Sequence, residues 1–79
     1  MFSREVIQAL RKRYPRGTRI ELLRMDDPQA PPIGTKGTVL GVIGVDNIAR
    51  IMVLWDTGSC EDIFFGVDIF RKVKDDNDR

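Results

Sequence analysis

Four residues, Asp56-Thr57-Gly58-Ser59, have the composition of a catalytic loop. Aspartic proteases present each of two carboxylates on an Asp-Thr-Gly-Ser run that follows an apolar strand, and the two share one proton. A chain this short would supply the pair by dimerising, and the downstream Phe64-Phe65-Gly66 imitates an accompanying apolar-apolar-glycine element. Three features oppose that chemistry. Only twenty residues follow Ser59, too few for the long second half that such enzymes place after the loop. Trp55, just before the aspartate, is bulky and suits a core anchor. The same four residues also make an ordinary hairpin in which Asp56 bonds nearby backbone N–H groups. The hairpin reading is preferred, and a dimeric aspartic protease through Asp56 stays a remote alternative.

The other candidate motifs are weaker. Gly34-Thr35-Lys36-Gly37-Thr38 has the residue types of a phosphate loop. Such a loop needs its lysine at the start of a helix that follows a strand. Here the run follows prolines and opens a strand, and a Gly-x-x-Gly nucleic-acid clamp would need flanking helices that the sequence lacks. Pro28 and Pro31 have the spacing of a polyproline ligand, but one match inside a loop mostly stiffens the loop. Asp26, Asp27, Asp56 and Asp68 do not follow the spacing of a calcium loop. The chain has no histidine, which removes the usual general base and metal ligand. Cys60 is the single cysteine, so no internal disulfide or thiol cluster forms. No catalytic residue, metal or cofactor is expected.

Charge supplies the remaining binding signal. The formal net charge is +1, but residues 1–24 carry +5 and residues 25–79 carry −4. Arg11, Lys12, Arg13, Arg16, Arg19 and Arg24 form a basic set that would contact phosphates in a salt-dependent way. The plainer reading is that the basic run complements a helix end, or that the two parts attract each other.

The elements that must position these residues are legible from periodicity. Residues 3–13 read as a helix, with Phe2, Val6, Ala9, Leu10 and Tyr14 near one stripe. Ser3 suits its N-cap, Phe2 and Ile7 suit a hydrophobic staple, and Pro15 stops it. Residues 18–24 alternate as a half-buried strand, broken by Leu23, which is expected to meet the helix. Residues 25–35 hold three prolines and form a long connection. Strands follow over 37–43, 48–55, 60–65 and 70–73, with turns at 44–47 and 56–59 and a single helical turn at 66–69. Hydrophobic residues make up 42% of the chain, enough for one core. Five short strands with tight turns predict a small closed barrel, which would leave no sheet edge.

Four blocks carry a family resemblance: residues 15–28 (Pro-Arg-Gly-Thr-Arg-Ile-Glu-Leu-Leu-Arg-Met-Asp-Asp-Pro), residues 30–39 with Ala-Pro-Pro and Gly-Thr-Lys-Gly-Thr-Val, Val53 to Ser59, and Gly66 to Val73. In this order they resemble a bacterial family labelled only as domain of unknown function four-three-one-four, over roughly residues 14–73. The resemblance implies an SH3-like barrel from bacterial, phage or mobile-element proteins. It implies no catalytic residues. SH3-like barrels often take peptides or nucleic acid in an aromatic-lined groove beside the long loop.

The expectation is therefore a mainly β protein, an SH3-like barrel of about five strands over residues 15–73. An N-terminal helix over residues 1–14 packs on it, and residues 74–79 form a charged, disordered tail. Its expected role is a non-catalytic protein-interaction or assembly module of the cytoplasm, monomeric or weakly homodimeric, with no membrane partner. Met25, Asp26, Asp27, Pro28, Pro31 and Trp55 are the expected protein-binding residues. Nucleic-acid binding through the basic set is the alternative.

Overall fold

In the computed structural model, which describes residues 4–74, a helix α1 (Arg4–Arg13) precedes five strands. These are β1 (Arg19–Arg24), β2 (Lys36–Val45), β3 (Ile48–Trp55), β4 (Ile63–Phe64) and β5 (Ile69–Lys72). The expected cap at Ser3, the staple at Phe2 and the tail beyond Lys74 lie outside the described residues.

The helix carries Glu5 in its first turn and Arg11, Lys12 and Arg13 in its last, the arrangement its dipole favours. Its buried face is Ile7, Leu10 and Tyr14, rotated from the expected stripe, and Val6 and Ala9 are exposed. The rotation follows from the surface it meets. Helix α1 lies on the second half of β2, and the Ile7 side chain comes within 3.1 Å of where a Cβ on Gly44 would stand. Strand β1 pairs with β2 only around Lys36, Gly37 and Thr38, with Gly17 and Thr18 bonding Val39 below. The rest of that β2 edge is left to the helix, and Arg11 Nε donates to the Val42 carbonyl at 3.0 Å.

Two turns of the same make launch the first two strands. In Pro15-Arg16-Gly17-Thr18 and Pro32-Ile33-Gly34-Thr35, the threonine N–H and hydroxyl both donate to the proline carbonyl, at 3.0 and 2.6 Å in each case. Each places glycine at positive φ, +96° at Gly17 and +93° at Gly34, as the third position of such a turn demands. The phosphate-loop imitation at residues 34–38 is thus a turn running into a strand.

The strands form one antiparallel sheet in the order β4-β3-β2-β1-β5. The expected closure is not met: the sheet stays open, with β4 and β5 as its two edges. Strand β4 keeps only residues 63–64 of the strand expected over 60–65, and among the described residues it pairs in the sheet with β3 alone. Two residues present too short a ladder to join a second edge. Two bulges bend the sheet. One, between Val39 and Gly41, shifts the alternation so that Val39 and then Val42 face the core. The other, between Leu22 and Arg24, leaves Leu23 at 36% exposure instead of buried against the helix.

The core is Ile20 and Leu22 from β1, Val39 and Val42 from β2, Ala49, Ile51, Val53 and Trp55 from β3, and Ile63 from β4, joined by the helix face. Strand β3 alternates as its sequence predicts. Asp46 and Asn47 close the β2–β3 hairpin with φ of 52° and 65°, the two left-handed positions of a two-residue turn that matches sheet twist. Asn47→Gly should therefore stabilise the protein by up to about 1 kcal/mol. Urea unfolding checks this: the midpoint is expected to rise, and a lower midpoint would show that the asparagine side chain contributes more than its backbone costs.

Candidate functional site

The long β1–β2 loop leaves the Leu22 region and returns to it. Gly34 N–H donates to the Leu22 carbonyl at 2.8 Å, and Leu22 N–H to the Thr35 carbonyl at 2.9 Å. This closes the loop at its base. Near its start, Asp27 Oδ1 accepts from the Gln29 N–H at 2.8 Å, and the Asp27 carbonyl accepts from Ala30, which fixes the Asp27-Pro28 turn. Across from it, the turn between β4 and β5 is held by Asp68, whose Oδ2 accepts from the Phe64 N–H at 2.9 Å. Val67 and Asp68 N–H groups both return to the Phe64 carbonyl, with Gly66 at φ +88°.

Between loop and turn lies an open groove of about 400 Å³. Met25, Pro28, Phe64 and Val67 supply its apolar surface, and Asp26, Asp27, Asp62 and Asp68 its carboxylates. Val67 is 72% exposed, an apolar side chain with nothing over it. Two arginines offset part of the charge: Arg24 reaches Asp26 at 3.4 Å and Arg50 reaches Asp62 at 3.8 Å. Among the described residues Asp27 and Asp68 pair with no cation. The groove is therefore electronegative with an apolar lining, and no group of three or more metal-ligating side chains is found among the described residues.

Of the expected protein-binding residues, Met25, Asp26, Asp27 and Pro28 line this groove together. Pro31 is buried and stands outside its lining. Trp55 belongs to the core at 1% exposure, with its indole N–H donating to the Glu61 carbonyl at 2.9 Å. Asp62, Phe64, Val67 and Asp68 were not among the expected residues. Their signal was the Gly66-Val67-Asp68 turn, where an apolar valine stands beside glycine and aspartate in a tight connection.

Members of the basic set meet different groups. Arg11 caps a β2 carbonyl, and Arg24 pairs with Asp26. Arg19 is fully engaged: Nη1 and Nη2 donate to the two Asp56 oxygens at 2.8 and 2.6 Å, and Nη1 also reaches Thr38 Oγ1 at 2.9 Å. Arg13 and Lys72 each lie 5.7 Å from the Tyr14 ring centre. Lys12 and Arg16 are exposed. A second open concavity of about 440 Å³ brings Arg19 together with Thr18, Lys72, Val73 and Lys74.

Asp56 differs from its expected part in the hairpin. The turn is closed by backbone bonds, Gly58 N–H to the Trp55 carbonyl and Trp55 N–H to that of Ser59, and the Asp56 carboxylate pairs with Arg19. The hydrogen bonds from Arg19, and then the charges of Arg19 and Lys36, hold the carboxyl below its ordinary value of 3.8. A carboxylate held ionised in this way is poorly suited to sharing a proton. Because its folded value is depressed, the pairing stabilises the fold above the ordinary value and is lost as pH falls through the lower folded value. Parent and Asp56→Asn urea midpoints should thus differ at pH 7 and draw together as pH falls below the ordinary value of 3.8. A difference that stays constant over that range would show that Asp56 acts without its charge.

A single helix on an open five-stranded antiparallel sheet, with a mixed acidic and apolar groove between its longest loop and its last turn, defines a small mainly β module. The chain belongs to the family described as domain of unknown function DUF4314, whose model matches residues 3–73. No curated protein and no solved structure matches it. No helix among the described residues is long and apolar enough to cross a membrane.

Proposed function

We propose that this protein is a non-catalytic docking module that holds an extended, positively charged segment of another protein in the groove between the β1–β2 loop and the β4–β5 turn. The observation that carries this reading is the groove itself. Four carboxylates offset by two arginines surround an apolar lining, and Val67 is left uncovered. Apolar surface gives such a site affinity, and carboxylates give it the sign of its partner. A strand order of β5-β1-β2-β3-β4, a bulged β2 paired along its length with β3 and a single turn before β5 support an SH3-like reading with its barrel left open. A cytoplasmic setting and a monomer or weak homodimer are part of the same reading.

Nucleic-acid binding through the basic set has less support, because Arg11, Arg19 and Arg24 already have partners within the fold. The protease reading has less still, with Asp56 clamped by Arg19.

The test uses hexa-lysine as a plain cationic probe, titrated into the full chain and followed by amide NMR. Shifts should map to the groove. The double variant Asp26→Asn with Asp27→Asn keeps the shape of both side chains, including the acceptor for Gln29 N–H, and removes two charges. Binding should weaken about tenfold at low salt, with a smaller change at physiological salt. Unaltered affinity in the variant would reject the groove as the site.

A further inference from the structure

Arg50 stands beside the groove and shares two of its lining residues. Its guanidinium lies 4.9 Å from the centre of the Phe64 ring, its direct cross-strand partner. Its Nη1 is 3.8 Å from Asp62 Oδ2, near enough for attraction and too far for a hydrogen bond. Its Nε is buried with no hydrogen-bond partner. An arginine laid on a ring, beside a carboxylate it does not bond, with one donor unanswered, is incompletely satisfied where it lies.

The ring and carboxylate form a receptor suited to a planar cation. A guanidinium stacks on an aromatic face and bonds a carboxylate through two parallel N–H groups, whereas an ammonium is a compact, strongly hydrated point charge. We propose that the groove selects arginine over lysine through Phe64 and Asp62, and that Arg50 is an internal stand-in which the arginine of a docked segment displaces. This rests on the docking reading above. Displacement gives up a ring contact and a long ion pair but no hydrogen bond, and it opens the buried Nε to water. Four carboxylates against two arginines leave the groove with charge still to be matched by the incoming segment.

Hexa-arginine and hexa-lysine, each titrated into the full chain at physiological salt, test this. Hexa-arginine should bind about two- to fivefold tighter, with shifts at Phe64 and Val67. Phe64→Leu should remove the preference and leave hexa-lysine affinity in place. Arg50→Lys keeps the charge and removes the stacked plane, so hexa-arginine should tighten about two- to fivefold while hexa-lysine is unchanged. Arg50→Gln removes the charge as well and should tighten both, hexa-arginine more. Equal binding of the two peptides to the parent overturns the arginine preference and leaves the docking reading standing. Unchanged hexa-arginine affinity in both Arg50 variants overturns the stand-in role. Groove resonances that respond to neither peptide overturn the docking reading and this inference together.

Discussion

Replacing Trp55 by alanine is expected to remove a large part of the stability of the fold and to lower its urea midpoint more than any other single change considered. Trp55 ends β3 with its ring in the core at 1% exposure, the largest of the fully buried side chains. Its indole N–H is bonded to the Glu61 carbonyl, which ties the segment after the Asp56 hairpin back to the sheet. The truncation removes the ring's burial and leaves a cavity that this small core cannot collapse around, a change of about 3–5 kcal/mol. A domain of 79 residues has roughly 4–12 kcal/mol in total. Trp55→Phe keeps most of the volume and loses the hydrogen bond, so its cost should be smaller, about 1–2 kcal/mol. Urea unfolding followed by circular dichroism separates the three proteins. A Trp55→Ala midpoint close to the parent's would mean that the ring does not anchor the core.

Gly37→Ala should be the second most damaging single change considered, though it adds only a methyl group. Gly37 pairs directly with Trp55 across the β2–β3 ladder. A Cβ at this position would stand 2.7 Å from Val53 Cγ1, 2.8 Å from Trp55 Cε3 and 3.1 Å from the Leu54 carbonyl oxygen. Two of these neighbours are fully buried side chains and the third is backbone, so little nearby is free to yield. The expected loss is about 1–3 kcal/mol, from overpacking. The cause is testable by combination. In a Trp55→Phe background the same substitution should cost less, with a coupling of about 0.5 kcal/mol or more between the two sites. Strict additivity would show that the alanine acts on the backbone and not on the ring.

These two predictions also show where sequence reading succeeded. The alternation Ile51, Val53, Trp55 marked the inward face of β3, because side chains of a strand point to opposite faces in turn, and Ala49 joins it in the structure. Pro15 stopped the helix and three prolines kept residues 25–35 out of regular structure, both through backbone constraints that need no tertiary partner. Family membership was legible from short blocks in order, and the matched model extends the likeness back over the helix.

Half of the groove was legible in the same way. Met25 to Pro28 stood out as a rigid, acidic, proline-bearing loop. The other half was not, because Asp62, Phe64, Val67 and Asp68 lie 34 or more positions further along the chain, and only the curl of the sheet brings their turn to the loop. Trp55 suits either a core anchor or, as an aromatic with a polar handle, a groove. Its N–H finds a backbone carbonyl six residues on, which lets the whole ring be buried and settles it in the core.

What the sequence determined by itself is what neighbours along the chain decide: where the strands other than β4 and the tight turns fall, which face of β3 is apolar, where the helix ends. Tertiary structure decided the rest. The helix turned its Ile7, Leu10 and Tyr14 face inward because Gly44 gave Ile7 a flat place to sit. A bulge moved β2 burial from the odd positions to Val42. The sheet stayed open because β4 ended after two residues. Within the basic set, Arg11, Arg19 and Arg24 each found a different acceptor. Pairing energies of that kind depend on which groups come within a few ångströms, and residues far apart in sequence meet only after the backbone has folded.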